Sequence, residues 1–227
     1  MQPYFFPYIG YWQLINTVDK FIILDDVNFI KKGYINRNFI ISNNNRVRIN
    51  LPINKISQNK LIINHTISDD EKWKNKLLLT IKQNYNSASF YKSVFPLLEN
   101  IILYKEQNLS NYLHYQIIKI TEYLKINTEI IETSTKYNII DKKGQERILD
   151  ICKKENAKTY INAIGGKELY SVDEFKKNGI ELKFIKTGDI TYKQFNNEFI
   201  PNLSIIDVMM HNSVEEIKQM LNSYTLE

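Results

Sequence analysis

Cysteine is nearly absent from this chain: its 227 residues include one, Cys152. A single thiol cannot close an intrachain disulfide, so packing alone must hold the fold, and a reducing, cytoplasmic setting is expected. Cys152 lies in an apolar-periodic stretch with Ile148, Leu149 and Ile151, which reads as a buried structural thiol rather than a nucleophile. Glycine and proline are also scarce, at 7 and 5 residues. No Gly/Ser/Pro-rich linker and no internal repeat divides the chain, so residues 1–227 read as one domain. No stretch approaches the ~18 to 20 continuous apolar residues of a membrane span. The opening MQPYFFPYIGYWQ lacks the basic flank of a signal peptide, so neither export nor membrane insertion is expected.

Whole classes of chemistry leave no mark either. There is no metal-ligand cluster, Walker loop, complete dinucleotide fingerprint or nucleophile elbow. Without a recognition helix, zinc pattern or aromatic RNP motif, nucleic acid is not an expected partner.

What is present is an apolar, aromatic and basic chain: 43% hydrophobic, 12% aromatic, net charge +5 and a pI of about 9.0. That charge favours anionic ligands, and a phosphate-bearing small molecule suits it. The periodicity predicts a short helix over residues 8–18, with Pro7 ahead of its first turn, and a buried strand over 21–24 ending in Asp25-Asp26. Asn43-Asn44-Asn45 should turn a hairpin between 39–41 and 47–51. A strand is expected over 61–67. Residues 69–125 should then form a mostly helical lobe, its first helix capped by Ser68 or Asp69. Beyond it, strands over 129–131, 159–164 and 180–185 alternate with helices over 145–156 and 169–178, and a last helix covers 205–221. This alternation predicts an α/β fold, a mainly parallel, nucleotide-binding-like sheet of βαβ units carrying an inserted helical lobe and a β-hairpin.

Three groups of residues could carry chemistry. The densest runs from Tyr8-Ile-Gly10-Tyr11 through Asp25-Asp26 to Lys31-Lys32-Gly-Tyr-Ile-Asn36-Arg37-Asn38. In a βαβ sheet, ligands bind outside the carboxyl ends of the strands, where Asp25 and Asp26 would sit. Carboxylates beside Arg and Asn donors suit a ligand bearing hydroxyls and phosphate. A strand-ending turn with a structural Asp–Arg pair and solvated lysines fits the same spacing. Second, Gly165-Gly166 between a strand and a helix could bring backbone amides to an anion, with Tyr160 and Asn162 on the same edge; a plain turn explains the pair as well. Third, His211 follows Asp207 at i+4 on a helix, so an acid–base pair or simple helix stabilisation is available. His65 and His114 stand alone. The expectation linking these residues is that Tyr11, Asp26 and Arg37 border one hollow at the rim of the sheet.

Several segments, in order along the chain, resemble the WbqC-like family: MQPYFFPYIGYWQLI, DDVNFIKKGYINRN, residues 84–90, Tyr160-Ile-Asn-Ala-Ile-Gly-Gly166 and Leu203-Ser-Ile-Ile-Asp-Val208. The resemblance marks Gln2, Tyr4, Pro7, Tyr8, Gly10, Tyr11, Asp25, Asp26, Lys31, Asn36, Arg37, Asn38 and Asp207. Family members have a few more apolar residues ahead of Gln-Pro-Tyr, so a start at Met1 would clip a first strand or be misassigned. Members occur in gene clusters for O-antigens and other surface polysaccharides. The resemblance therefore implies a transferase that N-acylates a nucleotide-linked amino sugar from a donor such as acetyl-CoA. Asp25 or Asp26 would be the base, His211 a rival, and Lys31 and Arg37 the diphosphate ligands. Tyr8-Ile-Gly-Tyr11 also has the layout of the nucleotidylyltransferase His-x-Gly-His signature with tyrosine at both histidines, which leaves an ATP-dependent ligase or nucleotidyltransferase as the alternative. A non-catalytic partner in glycan assembly is a third reading.

Overall fold

A computed structural model describes residues 1–195 and 198–227. The chain enters as an irregular segment over residues 1–8 and turns into α1 (Ile9–Thr17). Strand β1 (Lys20–Ile22) follows. The hairpin of β2 (Arg37–Ser42) and β3 (Asn45–Asn50) turns where expected, on Asn43 and Asn44. Both asparagines have positive φ, 47° and 61°, the left-handed backbone that a tight hairpin needs and asparagine tolerates.

Residues 61–67 do not form the expected strand; Ile62–Asn64 make one 3-10 turn instead. The buried His65 accounts for it. Its Nδ1 contacts the Leu61 carbonyl at 2.8 Å, and the Ser57 N–H donates to its Nε2 at 3.3 Å. The alternation that suggested a strand reflects a ring closing a turn from inside.

Three helices come next: α2 (Lys72–Tyr85), α3 (Tyr91–Ile102) and α4 (Leu109–Leu124). The expected cap of α2 moves. Asp70 Oδ1 accepts from the Lys72 N–H at 3.1 Å, whereas Ser68 Oγ accepts only from Asp70 N. Asn108 caps α4 by accepting from Asn111 N, and left-handed Lys125 ends it. Together with α1, these helices enclose the principal core, whose largest fully buried side chains include Trp12, Tyr85 and Tyr112.

The last third supplies β4 (Glu129–Ile131), α5 (Gly144–Lys154), β5 (Thr159–Ala163), α6 (Val172–Lys177) and β6 (Glu181–Thr187). The expected terminal helix is two: α7 (Ile205–His211) and α8 (Val214–Leu221). Asn212 is extended at the break, and Ser213 with Glu216 builds a capping box that starts α8 afresh. A short β7 (Tyr224–Leu226) closes the chain.

The structure is thus a mixed α/β fold, but its strands do not form one parallel sheet. β1 pairs in parallel with β4; β5 pairs in parallel with β6, and β7 adds antiparallel to β6. The two groups are separate, and a cavity lies between β1 and β5.

Candidate functional site

The irregular Gln2–Tyr8 segment is held as firmly as a strand. Gln116 of α4 donates from Nε2 to the Tyr4 carbonyl (3.1 Å), and its Oε1 accepts from Phe6 N (3.0 Å). Phe5 N donates to Tyr34 O. Asn38 Nδ2 donates to the carbonyls of Phe5 (3.1 Å) and Phe6 (2.7 Å), and Ser204 Oγ donates to Phe6 O at 2.8 Å. Trp12 Nε1 and Ile205 N both donate to Pro7 O. Buried backbone groups outside regular structure need such partners. They also fix Phe6 at φ 42°, a conformation costly for an aromatic residue.

This clamp presents a cluster of tyrosines. The Tyr4 ring lies 5.5 Å from that of Tyr11 and 6.1 Å from that of Tyr34. Tyr11 donates its hydroxyl to the Gln2 carbonyl at 3.0 Å. Burial raises the pKa of both Tyr4 and Tyr11, and for Tyr4 the nearby Tyr8 and Tyr34 hydroxyls add to the shift. The Tyr8 ring lies over Gly10: a Cβ there would meet Tyr8 Oη at 2.5 Å and Thr187 Oγ1 at 2.4 Å. Any larger residue at position 10 would displace one of them, so glycine is required by close approach. Gln2, Tyr4, Tyr8, Gly10 and Tyr11 therefore do come together, with Tyr34 and Thr187 added.

The acidic pair lies beside them, since Leu24 N donates to Met1 O at 2.8 Å. Asp25 is buried and saturated. Its Oδ2 accepts from Ser110 Oγ at 2.6 Å, and its Oδ1 accepts from Thr133 Oγ1 at 2.8 Å and Ser134 N at 3.2 Å. Asp26 forms an ion pair with Arg147 Nη2 of α5 and accepts the Ser134 hydroxyl proton; Arg147 Nη1 also reaches the Asp26 carbonyl at 3.3 Å. Asp26 keeps 15% of its side chain exposed, whereas Asp25 is sealed, so Asp26 is the member of the pair that a ligand can reach. Among the described residues the buried Arg147 Nε has no hydrogen-bond partner.

The Lys/Arg loop does not join this cluster by any hydrogen bond or ion pair among the described residues. Arg37 donates Nε to Gly33 O at 2.8 Å and Nη2 to Lys32 O, fastening its own turn. Asn36 donates Nδ2 to Leu51 O at 3.0 Å. Lys31 is exposed. The structural Asp–Arg pair does exist, but Arg147 supplies it rather than Arg37.

The other two groups also sit apart. Tyr160 stacks on Phe175 (5.4 Å between centroids) in a smaller core. Gly165 and Gly166 lie inside a 3-10 helix (Ile164–Leu169) rather than at the start of an α-helix, with Asn162 Nδ2 2.8 Å from a Cβ built on Gly166. Asp207, fully buried, accepts from Tyr85 Oη, Tyr192 Oη and Gln194 Nε2, each at 2.7 Å. His211 Nε2 stands 3.9 Å from Asp207 and is buried without a hydrogen-bond partner among the described residues. Burial depresses its pKa, against the pull of Asp207.

Sequence reasoning missed Ser110, Thr133, Ser134 and Arg147. The hydroxyl run Thr133-Ser134-Thr135 directly after a strand was one available signal. The arginine set inside the apolar face of Ile148, Leu149 and Ile151 was another, because a charge there needs a buried partner.

A sequence profile described as the WbqC-like protein family matches residues 2–219, which include every residue of these clusters. "Uncharacterized protein Rv1507c" of Mycobacterium tuberculosis (strain ATCC 25618 / H37Rv) is 27% identical over 217 residues, covering 95% of this chain and 93% of the relative. No solved structure matches the chain. With the profile spanning nearly all of the sequence, the chain belongs to the WbqC-like protein family.

Proposed function

We propose that this protein is a transferase of surface-polysaccharide biosynthesis that N-acylates a nucleotide-linked amino sugar, with an acyl-CoA such as acetyl-CoA as donor. The observation that carries the reading is the Asp26–Ser134–Arg147 cluster at the carboxyl ends of two adjacent parallel strands, next to the rigid tyrosine segment. Strand ends of this kind are where α/β sheets take ligands, and rigid elements position reacting groups best.

In the proposed reaction the sugar amine attacks the thioester carbonyl. The C–N bond forms, the C–S bond breaks, and CoA leaves as its thiolate. The proton lost by the amine passes to the Asp26 carboxylate and then to the thiolate. Arg147 and Ser134 hold Asp26 in place, and the Tyr4, Tyr8 and Tyr34 hydroxyls offer hydrogen bonds to sugar and phosphate oxygens. Lys31 and Lys32, exposed on the neighbouring loop, supply the positive field for a diphosphate. Asp25 serves as the buried anchor that fixes the strand end.

The test is thiol release from acetyl-CoA across a panel of nucleotide-linked amino sugars. Turnover is expected, with Asp26→Asn slowing it by about 100-fold or more when measured well below its lowered melting temperature, and Lys31→Ala raising KM. Absence of turnover on every sugar refutes the acyl-transfer reading, and pyrophosphate release from ATP with Mg²⁺ would replace it with the ligase or nucleotidyltransferase reading.

A further inference from the structure

The charge of this chain is concentrated in one place. Residues 27–68 hold seven of the 30 Lys and Arg residues and none of the 25 Asp and Glu residues, so this segment carries +7 and the rest of the chain −2. The segment is also one spatial unit. Ile62 N donates to Val27 O at 2.9 Å and Phe29 N to Lys60 O at 3.0 Å, which closes its two ends on each other. Leu51 N donates to Asn36 O at 2.8 Å at the base of the β2–β3 hairpin.

Its cations stand on three adjoining parts. Lys31 and Lys32 are exposed on the turn before β2, and Arg37 fastens that turn to the hairpin through Lys32 O and Gly33 O. In the hairpin register Arg37 lies opposite Asn50, Phe39 opposite Arg48 and Ile41 opposite Arg46, so the three arginines share one face. Lys55 and Lys60 are exposed on the loop after β3, and the Phe29–Lys60 bond sets this loop against the Ile30–Gly33 turn. None of the seven makes an ion pair among the described residues, whereas eight lysines elsewhere do. Two aliphatic side chains protrude among these cations: Ile30, 51% exposed beside Lys31, and Ile56, 40% exposed beside Lys55.

We propose that residues 27–68 form a docking surface for a membrane rich in anionic lipid. The protein lies on it through the basic turn, hairpin and loop, with Ile30 and Ile56 entering the headgroup layer among the lysines. An unneutralised basic field attracts an anionic surface, and apolar side chains set into that field add burial on contact.

Two observations favour a lipid surface over other anions. First, the cations are spread rather than convergent. At about 3.3 Å per residue, Arg37 and Arg46 stand about 13 Å apart along the hairpin, too far to share one phosphate. Second, a nucleic-acid strand gains much of its affinity by stacking bases on open rings. Here Phe29 is buried, the Arg46 guanidinium covers Phe39 at 4.0 Å, and the Tyr34 ring leans towards Tyr4. Exposed isoleucines gain nothing from a nucleic acid, but they lose water-facing area on entering lipid.

The test is co-sedimentation with two kinds of vesicle: phosphatidylcholine alone, and phosphatidylcholine mixed equally with phosphatidylglycerol. Binding is expected to the mixed vesicles only, and to weaken as salt rises. Each cation at such a surface strengthens binding about fivefold. Lys55→Glu with Lys60→Glu should therefore weaken it by at least about 25-fold. Lys153→Glu with Lys176→Glu makes the same change in net charge on α5 and α6, and should leave binding as it was. Ile30→Ser with Ile56→Ser should weaken it about tenfold. All these side chains are exposed, so each variant should keep the parent melting temperature. Failure to bind the mixed vesicles overturns the proposal, as does equal weakening by the two charge pairs. Undiminished binding by the isoleucine variant, or tighter binding to poly(U) than to the vesicles, assigns the surface to a soluble polyanion and overturns it too. The readout needs no turnover, so it is independent of the acyl-transfer reading.

Discussion

Asp207 accepts three hydrogen bonds from side chains in the core. Its two oxygens satisfy Tyr85, Tyr192 and Gln194, and the Tyr85 hydroxyl in turn accepts from Ile41 N at 3.1 Å. One carboxylate therefore ties α7 to α2, to the β2 strand and to the segment before α7. Burial, with the Asp207 charge beside them, raises the pKa of both tyrosines, so they remain donors throughout the working pH range. Asp207→Ala strands three buried donors, and a loss of at least about 3 kcal/mol is expected in urea unfolding. A variant that unfolds at the parent midpoint would refute this anchoring role. The i+4 spacing of Asp207 and His211 was legible in the sequence, but the partners that matter more were not. They arrive from residues 13, 15 and 122 positions away, and no local pattern encodes those distances.

At the scale of elements, the segment before α1 behaves as a part assembled by others. Asn38 closes it with two bonds and also accepts from Phe39 N at 2.9 Å, so one residue of β2 both continues a strand and clamps a loop. Asn38→Ala frees the carbonyl of Phe5 entirely, while Phe6 keeps Ser204. The expected cost is about 2 kcal/mol, with faster proteolysis near residues 2–8; Gln116→Ala, which removes the other clamp, should do the same. If Asn38→Ala leaves both stability and proteolysis unchanged, the segment is rigid for another reason. Motif reading singled out Asn36, Arg37 and Asn38 as ligand-binding, and in the structure all three side chains donate to backbone carbonyls. Hairpin, helices and most strands were readable because their signals are local: apolar period, asparagine turn, capping residue. Residues 61–67 and the α7–α8 break were misread because a buried histidine and the Ser213–Glu216 capping box overrode the local period.

For the molecule as a whole, the parallel sheet was the expectation that fared worst, and the reason is spatial. Parallel pairing was right for β1 with β4 and for β5 with β6, but the two pairs share no ladder and a cavity separates β1 from β5. The global charge balance yields a stability profile whose sign can be worked out. His114 and His211 are both pushed below the ordinary value of 6.5 by burial. In acid the unfolded chain therefore takes up these protons first, as it does at the Met1 ammonium, which burial holds at about 5 against an ordinary 8.0, so stability falls as pH drops below about 8 and further below 6.5. Glu155, held down to about 2 by Lys20, Tyr137 and Lys136, against an ordinary 4.5, acts in the same direction. Its contribution is lost between about pH 4.5 and 2. In alkali the buried Cys152 thiol, pushed from 9.0 up to about 11, and the buried tyrosines, raised above 10.0, make the unfolded chain ionise first, and stability falls again past about pH 9. Urea midpoints measured from pH 3 to 11 should therefore peak between about pH 8 and 9, with an acid limb whose upper part comes from the Met1 ammonium and the histidines and whose lower part comes from Glu155. His211→Gln removes one of the groups that titrate near neutrality and should make the upper part of the acid limb shallower without touching the part below pH 4.5. Stability that rises as pH falls from 7 to 5.5 would mean that the histidines are charged in the folded state, with His211 paired to Asp207 after all.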